Sequence, residues 1–119
     1  MITSMKMFCI TINQDHYEKI KKIGYLPVCL GKKKLDYNFI SDNNGESISE
    51  KNPFYGEYTF HYWIWKNEIK NLEDNWIGFC QYRKYWVDKK AHENINDLTN
   101  LNEVVLKEIP SKLLRYESI

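Results

Sequence analysis

Four short stretches of this 119-residue sequence carry side chains able to bind or transform a ligand. The first is Glu57 with His61, four residues apart in GEYTFHYW, a spacing that puts a carboxylate and an imidazole on one face of a helix. Buried glutamate is uncommon without a partner. The pair therefore serves either packing or a direct ligand or catalytic role, and both readings are open. The second stretch is Gln81-Tyr82-Arg83-Lys84-Tyr85-Trp86, two cations between aromatic rings directly after an apolar run. A guanidinium and an ammonium can hold an anion while a ring offers a flat face; the alternative is a strand edge whose cations only reach for water. Lys32-Lys33-Lys34 form another basic run, either a solvated charge run or a contact for a phosphate-bearing ligand. Asp42 and Glu46, in the turn-rich SDNNGE, can approach a metal or sugar hydroxyls, or stand simply as solvated turn residues.

The elements that must position these groups read as an α/β fold. Residues 7–12 (MFCITI) form a nearly continuous apolar run, as expected of a strand buried on both faces of a parallel sheet. Asp15 is a candidate cap for a helix over 16–23, whose inner face carries Tyr17, Ile20 and Ile23 and which Gly24 ends. A second apolar run at 28–31 completes a βαβ unit, and its carboxyl end feeds the three lysines into the place where parallel sheets meet ligands. Residues 36–50 read as a long loop, and long loops in compact domains are more often functional than idle. Asn52-Pro53 marks a helix start, with Ser49 as an alternative cap. From 54 to 67 the apolar residues run nearly all round the predicted helix, which predicts burial, with Phe54, Tyr58, Tyr62 and Trp65 along one face, the Tyr58, Tyr62 and Trp65 side toward the core and the entry from Asp42 to Glu57 toward the ligand. Gly56 suggests close approach of a backbone or ligand. The third strand is expected over 76–80, and Asn100 with Glu103 reads as a capping box for a last helix that Pro110 ends.

Composition bounds the partners. Seventeen basic and sixteen acidic residues leave +1, which offers no field for nucleic acid or an anionic membrane. Three widely spaced cysteines, Cys9, Cys29 and Cys80, each inside an apolar run, read as buried free thiols in a reducing cytoplasm. No apolar run approaches the roughly 20 residues of a transmembrane helix. One domain of 43% hydrophobic and 15% aromatic residues has ample material for a single core.

The series Ser47-Ile48-Ser49-Glu50-Lys51-Asn52, Glu57-Tyr58-Thr59, Tyr62-Trp63-Ile64-Trp65-Lys66-Asn67 and Ile77-Gly78-Phe79-Cys80-Gln81-Tyr82-Arg83-Lys84-Tyr85 resembles a bacterial family of capsular and exopolysaccharide synthesis glycosyltransferases, formerly catalogued as a domain of unknown function. The resemblance implies a GT-A-type, Rossmann-like parallel sheet that takes a nucleotide-sugar donor and passes the sugar to a glycan acceptor. It places the nucleotide over the ends of the first strands, near Thr11, Asn13 and the Asp42 loop, with Asn52 in the donor-binding set. The run from Gly78 to Lys84 then meets the donor diphosphate through Tyr82, Arg83 and Lys84, and Glu57 lies near the sugar. Glu57 and Gln81 become the catalytic positions, although the family usually carries His where this chain has Gln81, and Gln cannot titrate. No DxD motif is evident, so a divalent cation is left open. Members are about twice as long, so the resemblance implies an N-terminal, donor-binding half, inactive alone, with a C-terminal half on another chain as a partner. The competing expectation is a non-catalytic interaction module. A cytoplasmic place, peripheral at the inner membrane beside the polysaccharide machinery, would suit either.

Overall fold

The structure, a computed structural model, describes residues 4–30, 37–73, 75–88 and 101–118. Its centre is a three-stranded parallel sheet of order β2-β1-β3, with β1 at Met5–Thr11, β2 at Leu26–Cys29 and β3 at Trp76–Gln81. Phe8 lies opposite Leu26 on one side and Phe79 on the other, and Ile10 opposite Val28 and Gln81. The apolar runs thus become parallel strands, as the sequence predicts. Their bounds shift: Ile12 leaves β1 and is 84% exposed, while Pro27 enters β2. Proline is tolerated there because β2 is an edge strand.

Alternation along the strands divides the core in two. Met7, Cys9 and Cys80 meet Ile20, Ile23, Tyr25 and Val105 on one face, whereas Phe8, Ile10 and Val28 meet Phe60, Trp63 and Ile64 on the other. All three cysteines are free and buried. Gly78 lets Met7 cross β3, since a Cβ there would lie 2.6 Å from the Met7 methyl carbon. Helix α1, Tyr17–Lys22, supplies Ile20 to the first face, and Gly24 ends it with φ 82°. Its entry is a 3-10 turn, Gln14–His16, capped by Asn13 rather than by Asp15: Asp15 N–H donates to Asn13 Oδ1 at 2.9 Å. Asparagine one position earlier leaves Asp15 as a first-turn acid.

The aromatic stretch departs most from expectation. Instead of one helix over 54–67 there are α2, Asn52–Tyr55, and α3, Tyr58–Trp63, followed by a π turn at Ile64–Glu68 and a 3-10 turn at Ile69–Leu72. Gly56, at φ 57° and ψ −135°, makes the break. A Cβ at Gly56 would meet nothing within 4 Å, so the glycine is required by its backbone and not by a close neighbour. The break also reverses the expected core side: Tyr58 and Trp65 are exposed, as is Phe54 in the entry, and Thr59, Phe60, Trp63 and Ile64 are buried. Near the end, α4 spans only Leu101–Val104, with Val105 and Ile109 buried beyond it. Tyr25 Oη donates to Leu106 O at 2.5 Å and fastens this segment to the first core face. Lys32, Lys33, Lys34 and the Asn100 cap lie outside the described residues.

Because the conformation of Gly56 is nearly closed to other residues, Gly56→Ala should cost about 1–3 kcal/mol with the urea m-value unchanged. Gly24→Ala should cost about 1 kcal/mol. Unfolding curves that superimpose on wild type would show that the break at residue 56 does not depend on glycine.

Candidate functional site

Parallel pairing brings the carboxyl ends of β1 and β3 side by side. Tyr82 N–H donates to Ile10 O at 3.0 Å, so the first residue past β3 sits against the last turn of β1. Thr11 follows at the end of β1 and is buried; Asn13 and Arg83 are exposed. Between them lies His16, whose ring stacks on Tyr82 with centroids 3.4 Å apart and planes 10° from parallel. His16 Nδ1 is 2.6 Å from Thr11 Oγ1. Burial lowers the His16 pKa, the charges of Lys19 and Arg83 lower it further, and Asp15 opposes them. The one ion pair among the described residues joins Lys112 to Asp88, so Arg83 and Lys84 stand at the sheet end without a carboxylate partner.

Glu57 approaches the same sheet end from the helical side, where Gln81 Nε2 donates to Glu57 Oε2 at 3.1 Å. The other expected partner of Glu57, His61, lies one turn on, with its ring centroid 4.2 Å from that of Phe79 and its Nε2 buried without a hydrogen bond among the described residues. Burial lowers the His61 pKa, and the Glu57 charge pulls it back up. Thr11, Asn13, Glu57, Gln81, Tyr82, Arg83 and Lys84 therefore gather around the ends of two strands. From Glu57 a groove of about 850 Å³ runs along the outer edge of β3, past His61, Phe79, Trp86 and Trp76.

Asp42 and Asn52 belong to a neighbouring cluster. Asp42 is fully buried, and Thr59 Oγ1 donates to its Oδ2 at 2.5 Å. Asn52 Nδ2 donates to Thr59 Oγ1 at 3.1 Å and to Gly56 O at 2.9 Å. Ser47 Oγ donates to Asp42 O, and Trp63 Nε1 to Asn44 O at 2.9 Å. Asn67 adds two bonds to the Glu46 backbone, and a Cβ on Gly45 would lie 2.3 Å from Asn67 Oδ1. The long loop is thus clamped onto α3 by its own polar residues. Asp42 Oδ1 has no partner among the described residues. No cluster of three or more His, Cys, Asp or Glu suited to a metal occurs among the described residues.

A family model described as a domain of unknown function, DUF4422, matches residues 7–118. The chain belongs to the DUF4422 family. Comparison with curated proteins and with solved structures gave no match. No helix among the described residues of this DUF4422 chain is long and apolar enough to cross a membrane. Sequence reasoning missed His16 and Thr59 as members of the two clusters: His16 reads as an ordinary helix-start residue and Thr59 as a polar position on an aromatic helix. The single available signal for His16 was its place between a strand end and a helix.

A carboxylate in the interior depends on its hydrogen bonds, so Thr59→Val should destabilise the DUF4422 chain by about 2–4 kcal/mol, and Thr59→Ser, which keeps the hydroxyl, by less than about half of that. Urea denaturation of the two variants separates them. Equal losses would mean that volume, and not the bond to Asp42, holds the loop.

Proposed function

We propose that this chain binds a nucleotide-activated sugar at the carboxyl ends of β1 and β3, as the donor-binding part of a GT-A-like glycosyltransferase of surface-polysaccharide synthesis. The observation that carries the reading is the convergence of Tyr82, Arg83 and Lys84 with Thr11 and Asn13 where two adjacent parallel strands end. Ligands of open parallel sheets lie beyond the carboxyl ends of the strands. There, Arg83 supplies a planar double donor for the diphosphate and Lys84 a second charge. Sugar transfer leaves a nucleoside diphosphate behind, and stabilising its developing charge is electrostatic work that fixed cations can do without a covalent intermediate. Glu57, held by Gln81 at the helical side of the same strand end, is placed to accept a proton from, or hydrogen-bond, a sugar hydroxyl. Gln81 orients that carboxylate, a positioning role that an amide performs without titrating. The residue types leave a divalent ion open, because a carboxylate pair that would hold one on the diphosphate is not evident.

Saturation-transfer NMR with UDP-, GDP- and CMP-sugars tests the reading. At least one donor should show transfer, and Arg83→Ala should weaken its binding by about tenfold or more. The absence of transfer from all three classes would remove the proposal.

A second reading, an interaction module that takes an added strand, is favoured by β3. Its residues 76–79 are only partly buried although the strand is apolar on both faces, and the groove follows its outer edge. Trp76 and Tyr82 donate their N–H groups toward β1, so alternation turns those of Ile77 and Phe79 outward. Trp86 Nε1 already donates to Phe79 O at 2.8 Å and Lys84 N–H to Gln81 O at 2.8 Å, and the outward N–H groups that remain invite pairing. Amide exchange at Ile77 and Phe79 should therefore be much faster than at Gly78 and Cys80 in the chain alone. Slow exchange at all four would mean that the edge is already covered.

A further inference from the structure

Two contacts hold the ring of His16, the Thr11 hydroxyl at Nδ1 and the face of Tyr82, and the first bears on where its proton lies. Asn13 N–H donates to Thr11 Oγ1 at 3.1 Å, which leaves the hydroxyl proton two acceptors, His16 Nδ1 at 2.6 Å and Asn13 O at 3.5 Å. The proton is assigned to the shorter contact, an assignment of tautomer that the 15N spectra below read out. Nδ1 is then the acceptor nitrogen, and the proton of the neutral imidazole resides on Nε2. The Tyr82 stack prevents the ring from turning over the strand end, and the His16 N–H, bonded to Asn13 O at 3.1 Å, fixes the backbone beneath it. Nε2 itself has no hydrogen-bond partner among the described residues. The charged groups around the ring are Lys19 on α1, Arg83 just past β3, and Asp15 on the same 3-10 turn; two of the three are cations. A donor held in one orientation beside cations, with nothing among the described residues to receive its proton, is matched to an anionic acceptor.

We propose that His16 contacts the ligand directly, its Nε2–H donating to a phosphate oxygen of the nucleotide sugar beside Arg83, a role that rests on the nucleotide-sugar reading above. Burial and the neighbouring cations disfavour imidazolium and hold the ring's pKa below its ordinary value. A bound phosphate reverses that balance and favours the second proton. Binding therefore takes up a proton, so affinity rises as pH falls through the range in which the complexed ring titrates, and declines as pH rises out of it.

Imidazole 15N spectra of the full chain, recorded across pH with UDP or inorganic diphosphate as probe, test this. Without a probe, Nδ1 should be unprotonated and Nε2 protonated. Either probe should shift the Nε2 resonance and move the His16 titration midpoint to higher pH. His16→Ala should weaken both probes by about tenfold or more, with His16→Gln retaining part of the affinity through its amide donor. Should UDP bind in an Arg83-dependent way while the His16 signals and midpoint stay fixed, His16 is not a ligand contact and the nucleotide-sugar reading stands. A shift with UDP but none with diphosphate would place the contact on the base or ribose and overturn the phosphate assignment. If neither probe binds, both readings fall together.

Discussion

Strand β1 has to be covered on both faces and hydrogen-bonded on both edges, and that demand places nearly everything else. A parallel strand of continuous apolar residues cannot leave one side to water without exposing groups worth about 1.5–3 kcal/mol each when buried. Cys9 and Phe8 point to opposite layers, so one layer requires Ile20, Ile23 and Tyr25 from the βαβ unit, and the other requires Phe60, Trp63 and Ile64 from the aromatic segment. The edges require β2 and β3. Once Ile10 lies opposite Gln81, the residues that follow each strand must be neighbours, and Thr11, Asn13 and His16 stand beside Tyr82 and Arg83. The candidate site is a consequence of strand register.

The aromatic segment meets its half of the demand in an irregular way. A straight helix over 54–67 would present Phe54, Tyr58, Tyr62 and Trp65 as a stripe, but the sheet face calls for Phe60, Trp63 and Ile64. Phe60 packs edge-on against Phe8, with centroids 5.5 Å apart, and stacks on Trp63 at 5.9 Å. Gly56 lets the chain restart at a new angle, and the π turn at Ile64–Glu68 continues it. The displaced aromatics find partial cover among themselves: Tyr62 packs edge-on against Trp65, and the Lys66 ammonium lies 3.9 Å from the Trp65 ring centroid.

Strands were legible in the sequence because a buried parallel strand announces itself by a short unbroken apolar run, and no other element competes for it. Gly24 was legible as a helix stop for a similar reason, since its backbone requirement is local. The aromatic face was not legible, because a helix apolar nearly all round carries no phase, and one positive-φ glycine resets the phase without changing the composition. The inward turn of Asp42 was equally hidden: whether an acidic loop residue is solvated or buried depends on Thr59, Asn52 and Ser47 arriving from elsewhere. Glu57 was read as pairing with His61 from its own helix, but its hydrogen-bond partner is Gln81 from β3. Neighbours in space that are remote in sequence leave no periodic trace.

The two polar clusters are linked through α3, and the link explains why residues read as ligand-binding can lie in a clamp. Asp42 receives the Thr59 hydroxyl proton, Thr59 Oγ1 receives one Asn52 amide proton, and the other Asn52 proton goes to Gly56 O. That carbonyl precedes Glu57, whose own backbone oxygen accepts from Phe60 N–H at 2.9 Å to open the first turn of α3. A chain of bonds that starts at buried Asp42 and reaches the surface at Gly56 therefore holds the point at which Glu57 leaves the backbone, and Gln81 bonds the far end of its side chain. A glutamate on an irregular segment would otherwise sample several rotamers, and each would place the carboxylate elsewhere at the strand end. Asp42 and Asn52 thus hold the backbone just before Glu57 through Thr59 and Gly56, from a place away from the strand ends.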